Sequence, residues 1–320
     1  MSELTLIQAG PYSTVQDMGR TGQQALGVLE GGAMDRDALR IANRLAGNNE
    51  TTAALEFFMG GARLAVDTPR MIALAGSTDD NAVIYCADET ERPLASGQST
   101  CLMPDEELFL PPLRHANTVI IAVEGGFDLP PLFGSLATSA NAQLGGLDGR
   151  LLVDGDALPL GKTTTTSRLP QMLPDTSFFS LRQDIRCVSG PQNVWFTDEA
   201  HHAFFDSEWV ITPQVNRMGY RLKGPALDHK SSADILSDGI VCGSIQVPGD
   251  GQPIIMMRDH QTTGGYTKIA TVISADLAPL ARMRPGLSIR FVAVSQEGAE
   301  DAARAKERHI QSLFEAISPF

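Results

Sequence analysis

Between two apolar runs, IIMM (254–257) and TVIS (271–274), the chain carries the polar stretch DHQTTGGYTKIA (259–270). With NRMGYRLKG (216–224) and SIQVPGDGQP (244–253) it supplies Asn216, Arg217, Tyr220, Gln246, Gln252, Asp259, His260, Gln261, Thr262, Thr263 and Tyr266. Glutamine and threonine donate and accept hydrogen bonds without charge, which suits an amide or urea-like group. A carboxylate beside them can position a proton or a water. A second group, Gln16, Asp17, Arg20 and Asp35, lies on the glycine-punctuated stretch 14–35, where glycine permits positive φ or the close approach of a ligand. The planar guanidinium of Arg20 matches a carboxylate or phosphate. Each group also has a purely architectural reading. Asp35 caps a helix, Asp17 and Arg20 form a local ion pair, Thr-Thr-Gly-Gly makes a tight connection between strands, and the lone His260 is a hydrogen-bonded structural residue.

Other chemistries are poorly supported. GDALPLGKT (155–163) has five residues between its first Gly and Gly-Lys, not the four of a phosphate-binding loop, and Pro159 is among them. His201 and His202 are adjacent on a predicted helix and point to different faces, so no metal site is expected. Cys86, Cys101, Cys187 and Cys242 are far apart and form no CxxC pair, which reads as reduced, mostly buried thiols. With 25 basic and 38 acidic side chains the formal charge is −13, a field that repels nucleic acid and anionic lipid. There is no Met-Lys-Met biotin-attachment sequence, so biotin is not expected on this chain. The N-terminus shows neither a basic segment followed by an apolar one nor a membrane-length apolar run, and a cytoplasmic location is expected.

The positioning elements read as short strands broken by turns: RLAV, MIALAG, AVIYCA, ELFLPP and NTVIIAVEGG, then IRCVSG, NVWFT, IVCGSIQVP, QPIIMM, IATVIS and IRFVAVS. This spacing predicts a mainly β (α+β) chain of barrels or sandwiches. Residues 35–46 form a helix between Asp35 as N-cap and Gly47 beyond its end, and shorter turns are expected at 198–205, behind Asp198, and 276–283. An amphipathic closing helix is expected from about Gly298 to Ile317. In QVPGDGQPI a hairpin turn would let Gln246 and Gln252 face one another. The Thr-, Ser- and Pro-rich stretch 162–184 marks a boundary between an N-terminal β-rich subdomain (1–170) and a C-terminal barrel with its closing helix (185–320).

QDMGRTG, GAMDRDALRIANRLAGN, ALEFFMGG, AVEGG, GGLDGR, NRMGYRLKG, IQVPGDGQP and DHQTTGGY, in this order, resemble the family of 5-oxoprolinase C subunits, also described as biotin-dependent carboxyltransferase-like or allophanate hydrolase subunit 2 proteins. The resemblance covers about residues 8 to 295. It implies two cyclophilin-like β-barrel subdomains and three functional settings. One is a subunit that works with subunits A and B to open 5-oxo-L-proline to L-glutamate with ATP. Another is the carboxyltransferase part of urea carboxylase, and the third is a binding protein that antagonises a kinase inhibitor. A free-standing chain without a biotin carboxylase region fits the first best. The family pattern often has an aromatic where Gln23 stands and a proline where Thr267 stands.

On the first reading ATP, bound largely by a partner subunit, would phosphorylate the amide oxygen of a small cyclic amide. Asp259 or Asp35 would position a proton or the attacking water, and Gln246, Gln261 and Thr262 would donate to developing oxyanion charge. Arg20 or Arg217 would hold the carboxylate or phosphate. Tyr220 and Tyr266 would shape the pocket, expected as a polar rim at the mouth of the second barrel, with Gln16, Asp17, Asn216, Gln252 and Thr263 around it.

Overall fold

A computed structural model describes residues 2–163 and 169–320. The expected boundary stretch therefore falls partly, at 164–168, outside the described residues. Internal contacts divide the chain into two units. One is Met1–Arg20, Gly31–Ser180 and His309–Phe320; the other is Thr21–Glu30 and Leu181–Arg308.

In the first unit, alternating or continuous apolar runs become β1 (Glu3–Gln8), β2 (Tyr12–Gln16), β3 (Ala54–Phe58), β4 (Gly60–Val66), β5 (Arg70–Ala75) and β6 (Ala82–Tyr85). They continue as β7 (Glu91–Leu94), β8 (Gln98–Leu102), β9 (Glu107–Pro112), β10 (Thr118–Val123), β11 (Ala157–Pro159) and β12 (Gln171–Met172). Two sheets result, one in the order β11-β1-β4-β9-β6-β7, the other β2-β3-β10-β5-β8-β12 with the short strand Ser318–Pro319 at its edge. Leu6, Leu64, Ile84 and Leu108 from the first meet Leu55, Leu74, Val119 and Ile121 from the second in one core. The uninterrupted runs of β5 and β10 are buried at every residue because their other face is covered as well.

That second face carries Ala54, Ala73, Ala75 and Ala122, small side chains against which helix α1 (Arg36–Ala46) packs through Ala38, Leu39, Ala42 and Leu45. The sequence expectation for this helix holds at both ends. Asp35 accepts a 2.8 Å bond from the Ala38 N–H, and Gly47 takes φ 82°, where glycine avoids the Cβ penalty. Ile310, Leu313 and Phe314 join the same cluster, which is why the chain's last turns of helix count with the first unit.

The second unit comprises β13 (Asp184–Ser189), α2 (Asp198–Asp206), β14 (Trp209–Val215), β15 (Gly219–Lys223), β16 (Asp234–Gly239), β17 (Ser244–Val247) and β18 (Ile254–Met256). They are followed by β19 (Thr263–Val272), α3 (Leu277–Arg282) and β20 (Ser288–Ala293), and α4 (Gln296–Ala316) starts here. Strands β13-β20-β14-β15-β18-β17-β19 close into a seven-stranded barrel through a β13–β19 pairing. Strand β16 lies beside the N-terminal half of β19, whose ten residues are long enough to serve β16 and β13 on one edge. The barrel is filled by Trp209, Ile211, Tyr220, Leu222, Ile245, Val247, Ile255 and Phe291, with Phe204 of α2 stacked on Phe291 at 4.4 Å.

The mainly β class thus holds, while several local expectations need correction. NVWFT is a 3-10 turn (Asn193–Trp195) because only Phe196 is buried and Val194 is left 66 % exposed, so no alternation sustains a strand. Thr197, not Asp198, caps α2 by accepting from the Ala200 N–H. Thr263-Gly264-Gly265 is strand, paired with β16, and the turn falls earlier, around Asp259. Cys187 alone among the cysteines is fully buried, and burial pushes its thiol up to about 12. Among the described residues no helix is long and apolar enough to cross a membrane.

Candidate functional site

Strand alternation in the second unit places Tyr220, Leu222, Ile245, Val247 and Ile255 inside the barrel. Gly219, Arg221, Gln246, Ile254 and Met256 must then face outward, and their register shows it: Arg221 pairs with Ile254 and Ile254 with Gln246, while Gly219 pairs with Met256. An open cavity of about 890 Å³ lies on this outer face. Pro213, Gln214 and Val215 of β14, Asn216 and Met218 of the following turn, Gln261, and Tyr266 of β19 complete its lining. This cavity is on the barrel's wall and not at its mouth, where the interior is filled by apolar side chains.

Of the residues singled out from sequence, Asn216, Gln246, Gln261 and Tyr266 line this cavity. Gln246 is 2 % exposed, and its Nε2 has no hydrogen-bond partner among the described residues. A buried donor left unmade costs about 1–3 kcal/mol, so the position favours a bound acceptor. Tyr266 is 41 % exposed and offers an aromatic edge. Met218, Met256 and Ile254 form the apolar part of the wall, and Arg221 is the one charged side chain among the described lining residues.

Arg217 and Asp259 do something else. Their side chains are 2 % and 4 % exposed and form a two-pronged pair, Nε to Oδ2 at 3.0 Å and Nη2 to Oδ1 at 2.9 Å. The Asp259 N–H also donates to the Arg217 carbonyl at 2.8 Å, and the Met257 N–H to that of Met218 at 2.9 Å. This tie holds together the two turns that present Asn216, Met218 and Gln261 to the cavity. Asn216 itself accepts from the Met218 and Gly219 N–H groups, which tightens its turn.

Tyr220 is inside the barrel, donating to the Ala281 carbonyl at 3.1 Å, and so does not shape the cavity. Gln252 does not face Gln246: its Oε1 accepts from the Gly224 N–H at 3.0 Å and its Nε2 donates to the Gly224 carbonyl at 3.2 Å. The Thr262 carbonyl accepts from the Ile240 N–H at 3.0 Å, and Thr263 opens β19; neither side chain lines the cavity. His260 is buried with Nδ1 2.6 Å from the Gln261 carbonyl oxygen, and desolvation holds its pKa below the usual imidazole value. Thr267 sits in the barrel wall with Oγ1 2.9 Å from His229 Nε2.

In the first unit, Gln16, Asp17, Arg20 and Asp35 all have architectural partners. The Gln16 amide donates to Thr14 Oγ1 and the Thr138 carbonyl at 3.0 and 2.9 Å. Asp17 accepts from the Gly19 N–H, Ser135 Oγ and the Leu136 N–H at 2.6–2.8 Å, not from Arg20 as an ion pair. The buried Arg20 guanidinium donates to the carbonyls of Leu132 and Ala137. These contacts stitch the loop after β2 to the segment 132–138. The fork read as a carboxylate clamp is closing a loop.

Sequence reasoning missed Gln214, Met218, Arg221 and Met256 among the lining residues. The signal was present in GYRLKG, where apolar Tyr220 and Leu222 bracket Arg221 and so turn it outward with Gly219. Lys268 was also missed. It is buried, with Nζ 2.7 Å from Asp238 Oδ2, and this bond holds the Asp238 carboxyl below its ordinary range.

A mostly β chain with a closed barrel and an amide-lined wall cavity now stands beside its relatives. Residues 26–293 match the family described as carboxyltransferase domain, subdomain A and B, and the chain belongs to this family. It is 40% identical over 315 residues to the 5-oxoprolinase C subunit of Escherichia coli (strain K12), covering 97% of each chain. With the 5-oxoprolinase C subunit of Haemophilus influenzae the identity is 34% over 310 residues, again covering 97% of each. Among solved structures, the K. lactis urea amidolyase superposes with a TM-score of 0.86 at 27% identity, covering 97% of this chain and 20% of that one.

Proposed function

We propose that this chain is the C subunit of a heteromeric ATP-dependent 5-oxoprolinase that opens 5-oxo-L-proline to L-glutamate together with subunits A and B. The observation that carries the reading is the end-to-end identity with 5-oxoprolinase C subunits, 40% over 97% of both chains. The wall cavity supports it. Its amides and Arg221 suit a small amide that bears a carboxylate.

A lactam resists water because resonance strengthens its C–N bond; ATP, when bound, would supply a phosphoryl group to the amide oxygen, so that water adds to the activated carbon, the C–N bond breaks with nitrogen leaving as the amine, and a second water releases the phosphate. One arginine without a glycine-rich turn is a poor match for a triphosphate, so this cavity is not assigned the nucleotide. What the chain's own residues do is hold the ring. Gln246 and Gln261 donate to the carbonyl oxygen, Tyr266 and Met256 flank the ring, and the Arg217–Asp259 pair positions the turns that carry Asn216 and Gln261.

The similarity to urea amidolyase favours a second reading, carboxyl transfer to urea or a similar amide, but this chain corresponds to only 20% of that protein. Reconstitution with subunits A and B, followed by an assay of ATP-dependent glutamate release, decides between them. A complex inactive on 5-oxoproline that passes a carboxyl group from biotin to urea overturns the first reading.

A further inference from the structure

Gly264 lies in strand β19 beside two amides. A Cβ added there would stand 2.7 Å from Gln246 Nε2 and 3.5 Å from Gln261 Nε2. Both nitrogens therefore approach the one point that a side chain at 264 would fill. Gln246 Nε2 is buried and has no partner among the described residues, and the Gln261 side chain projects from an exposed position on the cavity wall. Two N–H donors brought together over a residue with no side chain, where an added Cβ would also stand 2.5 Å from Ile240 Cδ1, match one carbonyl oxygen, which accepts two hydrogen bonds.

Two strands away, Arg221 shares a row and a face with Gln246 through Ile254. Neighbouring strands are about 4.8 Å apart, so the two Cα atoms are about 10 Å apart, a gap that two long side chains on one face can close around a small ligand. No acid lines the cavity among the described residues, and Arg221 is its one charge.

We propose that the absence of a side chain at Gly264 lets Gln246 and Gln261 approach one another as a carbonyl cradle, donating to a single oxygen, and that Arg221 anchors a carboxylate of the same ligand. The site thereby selects an anionic amide over a neutral one such as urea. The assignment of that ligand as 5-oxoproline rests on the function proposed above.

The test uses the complex reconstituted with subunits A and B, together with calorimetric binding of 5-oxoproline, of 2-pyrrolidinone, which is the same lactam without its carboxylate, and of urea. Arg221→Gln should raise KM for 5-oxoproline about tenfold or more with a smaller change in kcat, and leave 2-pyrrolidinone binding unchanged. Arg221→Lys should recover part of the loss. Gly264→Ala should weaken both lactams about tenfold or more. Its backbone is not in the left-handed region, and the remaining close contact, 2.5 Å to Ile240 Cδ1, is to the end of a flexible side chain. Gln261→Ala, at an exposed position, carries the same expectation should the alanine at 264 disturb folding.

An active complex in which Arg221→Gln leaves KM unchanged overturns the anchor and leaves the proposed function standing. Unchanged lactam binding in Gly264→Ala, or in Gln261→Ala where the first variant misfolds, overturns the cradle. Urea binding equally to the wild type and to Arg221→Gln, with 5-oxoproline unbound, overturns the inference and the proposed function together.

Discussion

Removing the Asp259 carboxylate separates two roles for that residue. In the structure both of its oxygens are engaged by the buried Arg217 guanidinium at 2.9 and 3.0 Å, and neither side chain is more than 4 % exposed. Asp259→Ala removes the carboxylate that both prongs of that buried guanidinium hold. Breaking a buried pair from one side costs about 3–5 kcal/mol. At roughly 2–4 °C per kcal/mol for domains of this size, the melting temperature should fall by about 6–20 °C. Turnover should fall only partly, with KM rising more than kcat drops, because the displaced groups are Asn216, Met218 and Gln261 on the cavity wall. Arg217→Met combined with Asp259→Leu should recover most of the lost stability, since apolar replacement of a whole buried pair is often neutral. Thermal melts of the three variants beside steady-state kinetics of the reconstituted complex make the measurement. A melting temperature within about 1 °C of wild type in Asp259→Ala, with kcat abolished, would refute the reasoning and make the carboxylate a group that acts on the substrate.

Burial holds His260 below its ordinary pKa, so below about pH 6.5 the unfolded chain takes up a proton that the native chain does not. Its contribution to stability is complete above about pH 6.5 and is lost as the pH falls toward the lower native value. His260→Gln should flatten this acid limb in urea midpoints measured from about pH 7 to 5, and an unchanged slope would transfer the effect to other groups, His229 among them. Asp35→Ala should cost about 1 kcal/mol through loss of the helix cap and leave kcat unaltered. Lost turnover at an unchanged melting temperature would return Asp35 to the reacting centre.

Much of this fold is legible in local pattern. Helix α1 was bounded by Asp35 and Gly47 because capping and positive φ act within a few residues, and the strands MIALA and TVIIAV announced themselves by continuous apolar character. Other elements depended on partners distant in sequence. NVWFT has strand-like residues but pairs only through one isolated bridge, Phe196 with His229, and Thr-Thr-Gly-Gly looks like a turn until β16 supplies a ladder for it. The closing helix α4 reads as amphipathic, yet only Ile310, Leu313 and Phe314 bury their side chains, where the first unit's core receives them.

Residue type and order along the chain determined that this protein is a strand-rich member of its family and that amide side chains gather around residues 216–266. Tertiary structure alone decided which of those side chains line the wall cavity. Arg20, Arg217 and Asp259 have the chemistry of a binding site, but folding places them at 1–5 % exposure and engages them with carbonyls or with each other. Arg221, unremarked in sequence, is turned outward beside Gln246 by strand alternation and barrel closure. A hydrogen-bonding group is available to a substrate only if the fold has not already used it, and pairing of that kind is set across strands rather than along the chain.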